Sequence, residues 1–266
     1  PWVKVNFYFM NNSKNFLMPA EWEKHDAVWL AWPYDKITFG SLNQKDEKMD
    51  PGRLARVEKE FIKIITALAT SEQVNLIVQN KKQPSHFFKN VKMFEVDYAD
   101  VWTRDYIPTF VKNQKKELTA VKWDYNAYGE KFAGLIKDNN VWSKINAELT
   151  IKTIESGMVL ETGAIEVNGY GTLLTTEQCL FKRNPHLSKE DYEKAFGKFL
   201  GVNKVIWLKQ GLVNDHTDGH VDDIVKFVDS HTIVCAYEED ISDPNFKTLD
   251  DDYKILEQAT DEDGIP

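Results

Sequence analysis

Short apolar runs with alternating polar neighbours recur along the chain as pairs separated by polar turns. Residues 107–111 and 118–123 flank a polar stretch at 112–117. Residues 164–167 and 172–176 flank Asn168-Gly169-Tyr170-Gly171, whose Asn-Gly is a strong hairpin signal. Residues 224–228 and 232–237 flank Asp229-Ser230-His231. The turn centres fall near 115, 170 and 230, so hairpins recur about every 55–60 residues, the self-similarity of a repeat architecture. Helical periodicity alternates with them. Residues 53–69 carry Val57, Phe61, Ile64, Ile65 and Leu68 at helical spacing and lead into a strand at 74–78. Residues 188–200 open on an N-capping Ser188, with Glu190 and Asp191 in the first turn, and stop before Gly201; a strand follows at 204–208. A weaker helix is expected at 140–149, and residues 249–259 open one more unit. Each unit reads helix, strand, hairpin: a mixed α/β chain, with no linker or low-complexity tract dividing it.

Composition narrows the classes. With 266 residues the chain can hide roughly 70–75% of its unfolded surface. Its 42% hydrophobic and 12% aromatic content excludes a disordered protein. No apolar run approaches the ~20 residues of a membrane span, and the opening residues lack a secretory cleavage pattern. A net charge of −9 argues against a nucleic-acid partner and mildly favours a cationic ligand. Cys179 and Cys235 cannot make a disulfide framework, so a reducing cytoplasm is the default compartment. The start at Pro1 rather than Met marks residues 1–9 as a non-native leader or tag, ahead of Met10 or Met18. Residues 10–266 then form an incomplete single domain.

A polar cluster precedes each hairpin at nearly the same offset. These are Asp100-Val101-Trp102-Thr103-Arg104-Asp105, Leu160-Glu161-Thr162-Gly163, and the run from Asp215 to Asp223. Asp105, Glu161 and His220 sit about 10, 9 and 10 residues ahead of their turn centres. Equivalent positions of repeats arranged around an axis meet at that axis. In an extended segment Asp218, His220 and Asp222 share one face. Carboxylates beside His220 favour its charged form, which suits a general acid. Two carboxylates facing one point suit a planar guanidinium, each contact at 4 Å being worth about 4 kcal/mol before desolvation. The same three side chains are also plausible ligands for a divalent metal, without a second His cluster to support it. Arg104 and Asp105 together read equally as a local ion pair. Trp32 and Trp102, taken singly, read as core, as do the thiols of Cys179 (with no evident base) and Cys235. Gly169 and Gly171 make a turn rather than a phosphate cradle, and residues 238–243 a solvated acidic loop.

The order of these clusters resembles the agmatine deiminase and bacterial peptidylarginine deiminase family of guanidino-modifying enzymes. The matching segments are Met18-Pro19-Ala20-Glu21-Trp22-Glu23, Trp29-Leu30-Ala31-Trp32-Pro33, Trp102-Thr103-Arg104-Asp105 and Leu160-Glu161-Thr162-Gly163. They continue through 171–179, Arg183-Asn184-Pro185 and Asp218-Gly219-His220-Val221-Asp222. The resemblance implies a five-bladed α/β propeller of ββαβ units, of which this chain holds about four. It implies that Asp105 and Asp222 clamp the guanidinium, that His220 shuttles protons, that Glu161 and Trp102 line the substrate channel, and that Asp218 supports the site. It further implies attack by a cysteine thiolate, loss of ammonia, and hydrolysis of a thiouronium intermediate without metal or organic cofactor. The expected reaction is agmatine to N-carbamoylputrescine in polyamine metabolism, with peptidylarginine or free arginine as alternative substrates. Partners are then a small guanidine, neither nucleic acid nor membrane, with room for a homo-oligomer.

Two departures qualify the resemblance. The family's Glu-Gly-Gly is Glu161-Thr162-Gly163 here, and no Gly-rich His-Cys segment is present, so neither cysteine reads as the nucleophile. The chain by itself is therefore expected to bind without turnover. A guanidine- or polyamine-binding protein and a metal-dependent hydrolase are the competing classes.

Overall fold

A computed structural model describes residues 16–35, 39, 50, 52–84 and 88–266. The expected leader at residues 1–9 lies outside the described residues. Three strands, β2 (Ala27–Ala31), β3 (Gln73–Val78) and β4 (Val91–Glu95), form a parallel sheet. Helix α1 (Arg53–Leu68) lies between the first two in sequence. β3 is buried at five consecutive positions, the pattern of a strand covered on both faces. Ile65 of α1 is fully enclosed, while Ile64 faces outward and does not join the apolar stripe that its spacing predicts.

The next two sheets share one topology. β5 (Thr109–Asn113) and β6 (Leu118–Asp124) form an antiparallel hairpin; helix α3 (Val141–Leu149) follows, and β7 (Thr153–Val159) pairs parallel to β6. β8 (Ile165–Val167) and β9 (Thr172–Thr176) form the second hairpin. Helices α4 (Glu177–Arg183) and α5 (Lys189–Leu200) then precede β10 (Lys204–Leu208), parallel to β9. A third hairpin, β11 (Val225–Phe227) with β12 (Ile233–Cys235), leads to α6 (Phe246–Glu257). The short β1 (Phe16–Leu17) pairs with β5. The hairpin period read from the sequence is thus a period of ββαβ folding units. The first sheet departs from it: its three strands are all parallel, and β4, which no expectation covered, pairs with β3.

Local chemistry explains the boundaries. Ser188 accepts from the Asp191 amide while Asp191 accepts in return, a reciprocal cap, and Gly201 closes α5 with φ 74°. In the β8–β9 turn the Asn168 side-chain oxygen accepts from the amides of Tyr170, Gly171 and Thr172. Between the second and third sheets lies a core of Trp123, Leu160, Leu173, Tyr192 and Phe196, all nearly water-free. Its aromatic edges meet face to edge, as in Trp123 against Phe199 at 5.7 Å. Among the described residues no helix is long and apolar enough to cross a membrane.

Candidate active site

Each unit delivers its polar cluster in the turn just before its hairpin. Asp105 lies in the one-turn helix α2 (Thr103–Tyr106), four residues ahead of β5. Glu161 leads the 3₁₀ turn Thr162–Ala164 ahead of β8, and His220 leads the 3₁₀ turn Val221–Asp223 ahead of β11. The three turns pack together, so residues more than fifty positions apart in sequence become neighbours. His220 Nδ1 lies 3.9 Å from Asp105 Oδ1 and 3.9 Å from Asp222 Oδ1. Its other nitrogen, Nε2, lies 3.6 Å from Glu161 Oε2.

Gly163 is the floor of this arrangement. A Cβ on that residue would stand 2.5 Å from His220 Nδ1 and 2.9 Å from both Asp105 Oδ1 and Asp222 Oδ2. The two carboxylates and the imidazole can therefore pack this closely over residue 163 only because it has no side chain. The Gly163 amide donates to Asp105 Oδ1 at 3.2 Å. The second oxygen of Asp105 accepts from Tyr128 Oη at 2.7 Å. Both ends of this carboxylate are thus held in place.

Tyr128 carries no motif and was missed in the sequence. It reaches Asp105 through four consecutive residues with positive φ: Ala127, Tyr128, Gly129 and Glu130, at 58–76°. Left-handed backbone costs about 1–3 kcal/mol per non-glycine residue and persists where surroundings over-determine it. Here Asn126 Oδ1 accepts from the Gly129 amide at 2.8 Å, and burial keeps the phenol protonated as a donor.

Charge is distributed unevenly. Burial raises the Asp105 carboxyl above its ordinary range despite His220 and Tyr128, and raises Asp222 to about 6. Burial alone would neutralise His220, but Cys179, Glu161 and Asp105 around it push the imidazole up to about 11. Glu161 behaves oppositely: against the pull of burial, His220 and Arg183 hold it below the usual carboxylate range.

Several expectations need correction. Asp218 does not share a face with His220 and Asp222. Its φ of 68°, followed by 94° at Gly219, turns the chain, so the alternation of an extended strand does not apply. Its carboxylate instead meets Lys131, Lys182 and Arg183 at 2.7, 2.8 and 2.8 Å, which removes it from any metal set with His220. Glu161 is fully enclosed, and Arg183 Nε donates to both its oxygens at 2.8 Å. It therefore sits beneath His220 instead of on a channel wall. Arg104 is no local partner of Asp105; it bonds Glu21 at 2.5 Å and approaches Asp222 at 3.7 Å. Trp102 is 57% exposed at the rim, unlike the buried Trp32. Cys179, expected to lack a base, lies on α4 against the Nε2 side of His220. Arg183, quoted only as part of a motif, turns out to be the centre of the supporting network.

The sequence model described as Porphyromonas-type peptidyl-arginine deiminase matches residues 17–266. An agmatine deiminase of Pseudomonas syringae pv. syringae is 36% identical over 262 residues, spanning 94% of this chain and 68% of that protein. The solved agmatine deiminase of Enterococcus faecalis superposes with a TM-score of 0.83 at 32% identity, over 94% of this chain and 68% of its own. A substrate-bound agmatine deiminase of C. jejuni gives 0.81 at 26% identity, over 94% of this chain and 72% of its own. The chain belongs to this deiminase family, whose members are hydrolytic C–N enzymes.

Proposed function

From membership in that family we propose that the protein deiminates agmatine, releasing ammonia and N-carbamoylputrescine. The observation that carries this reading is the convergence of two carboxylates and an imidazole over Gly163. A guanidinium placed there offers planar N–H donors to Asp105 and Asp222, and its charge offsets what burial costs them. The relatives' names point to agmatine. Its second cationic end also suits a chain of net charge −9, whereas free arginine brings a carboxylate.

In this reading Asp105 and Asp222 fix the substrate plane, and His220 moves protons. A cysteine thiolate adds to the guanidinium carbon; the C–N bond breaks as the imidazolium donates its proton to the departing ammonia. Water, deprotonated by the now neutral imidazole, then attacks the thiouronium carbon and expels the thiolate. Glu161 keeps the imidazole charged and oriented, Trp102 stands at the entrance, and Asp218 braces Arg183. Neither cysteine of the chain is cast as the nucleophile. Cys179 is enclosed on the far side of His220, and burial pushes its thiol up; Cys235 belongs to β12 of the third hairpin. The thiolate is assigned to the family's Gly-rich His-Cys segment, and the architecture to a five-bladed propeller of which these residues supply about four units.

The test is product formation by the full-length protein on agmatine, free arginine and a peptide ending in arginine. Ureido product from agmatine, at kcat/KM well above the other two, is expected. Absence of ureido product from all three overturns the reading, and preference for the peptide replaces its substrate. Calorimetry of agmatine with the 266-residue chain, giving binding heat without product, checks the clamp separately.

A further inference from the structure

His220 has two faces, and the proposed chemistry uses only one. Nδ1 points toward Asp105 and Asp222, while Nε2 is fully buried, with Glu161 Oε2 at 3.6 Å and no hydrogen bond of ordinary length. Buried polar atoms are ordinarily hydrogen-bonded, and this one has only that longer ionic contact. Around it stand Glu161 and Cys179. One ligand atom from each of Glu161, Cys179 and His220 lies within 4.8 Å of the others, and all three residues are buried. The Cys179 thiol makes a long contact to the Thr217 carbonyl, at 3.8 Å, and also faces His220.

We infer that Glu161, Cys179 and His220 form a binding site for a thiophilic divalent cation, for which Zn²⁺ is the natural probe, on the face of the imidazole turned away from the guanidinium. Sulfur, imidazole nitrogen and carboxylate oxygen are the three donor types that zinc takes, at about 2.0–2.3 Å each. Tetrahedral placement at those lengths needs donors about 3.3–3.8 Å apart, within a small side-chain adjustment of the spacing here. Arg183 is the outer support: Nε holds Glu161 and Nη2 donates to the Thr217 carbonyl at 2.6 Å, fixing both the carboxylate and the loop before His220. On binding, the thiol proton and the Nε2 proton pass to buffer, three metal–ligand bonds form, and no electrons are transferred. The ion then occupies the nitrogen whose proton keeps the imidazole cationic. In the proposed deiminase, on whose reading this consequence rests, such occupancy is inhibitory.

The experiment uses the 266-residue chain with Co²⁺ as an optical substitute for Zn²⁺. A thiolate-to-cobalt charge-transfer band is expected, saturating at one ion per chain and bleached by added Zn²⁺. Cys235→Ser keeps the band; Cys179→Ser loses it and weakens Zn²⁺ at least tenfold. Because a hydroxyl at this buried position endangers folding, the unsubstituted chain supplies a second readout. Zn²⁺ should move the Nε2 ¹⁵N resonance of His220 while those of His186 and His231 stay in place. No band, a band that survives in Cys179→Ser, or an unmoved His220 resonance overturns the site. Full-length protein that makes no ureido product while the band forms refutes the deiminase reading and leaves the metal site standing. Full-length protein that turns over agmatine while the band is absent does the reverse.

Discussion

Arg183 and the groups over Gly163 can be compared directly, because in each place carboxylates from distant turns converge. Around Arg183 the arrangement is complete. Its guanidinium is water-free, with Glu161 on Nε, Asp218 on Nη1 and the Thr217 carbonyl on Nη2. Both carboxylates are held below their ordinary range. Around Gly163 the carboxylates Asp105 and Asp222 are raised instead, although His220 stands between them. The first cluster has its guanidinium built in. The second has no guanidinium at hydrogen-bond distance among the described residues, only Arg104 Nε 3.7 Å from Asp222, and in the proposed reading an incoming guanidinium offsets that burial. In the proposed reading the first is a structural clamp and the second a binding clamp.

Breaking each clamp should therefore give different signatures. The largest effect is expected from Arg183→Met, which takes the guanidinium from the enclosed Glu161 and one of three cations from Asp218: about 3–5 kcal/mol of stability lost, seen as a lower midpoint in urea. Unchanged stability would make Arg183 dispensable. Asp105→Asn should leave the urea midpoint near its starting value and lower kcat/KM of the full-length protein about 10²–10³-fold, because one charged arm of the binding clamp is gone. A near-normal rate would dissolve the clamp assignment. Tyr128→Phe removes the bond to Asp105 Oδ2 and should cost about 1 kcal/mol, roughly five- to tenfold in kcat/KM, with the fold intact. If instead it unfolds the protein, the left-handed segment is there for packing.

A further effect concerns pH. Asp138 is enclosed and accepts from the amides of Ala99 and Asp100, the start of the segment that leads to Asp105. Burial raises it to about 7. A folded pKa above the unfolded value means that the protonated form favours the fold. Its contribution is complete below the unfolded carboxyl range and disappears as pH rises through about 7. Thermal stability should accordingly decline from pH 5 to 7 by about 1 kcal/mol per unit from this group, and Asp138→Asn should flatten that slope. Glu161, with its built-in cation, carries the opposite sign, its stabilisation fading toward acid. An unaltered slope in Asp138→Asn would assign the pH dependence elsewhere.

Much of the frame is local, and for that reason it could be read from the chain. The hairpins at 164–176, the capped helix Lys189–Leu200 and the recurring offset of Asp105, Glu161 and His220 depend on turn residues, caps and short-range periodicity. The amino-acid order therefore determined the repeating units and the acidic and imidazole groups brought to one end of them, and its motifs identified the family. Tertiary structure alone decided which of those groups face one another. Asp218 left the set because two left-handed residues broke the alternation on which the expectation stood. Tyr128, Arg183 and Cys179 joined the neighbourhood of His220 from stretches with no regular spacing relative to it. Spacing along a chain specifies direction only while the backbone repeats its dihedral angles. Where φ changes sign or two distant turns pack together, position is set by what the whole fold can bury and neutralise.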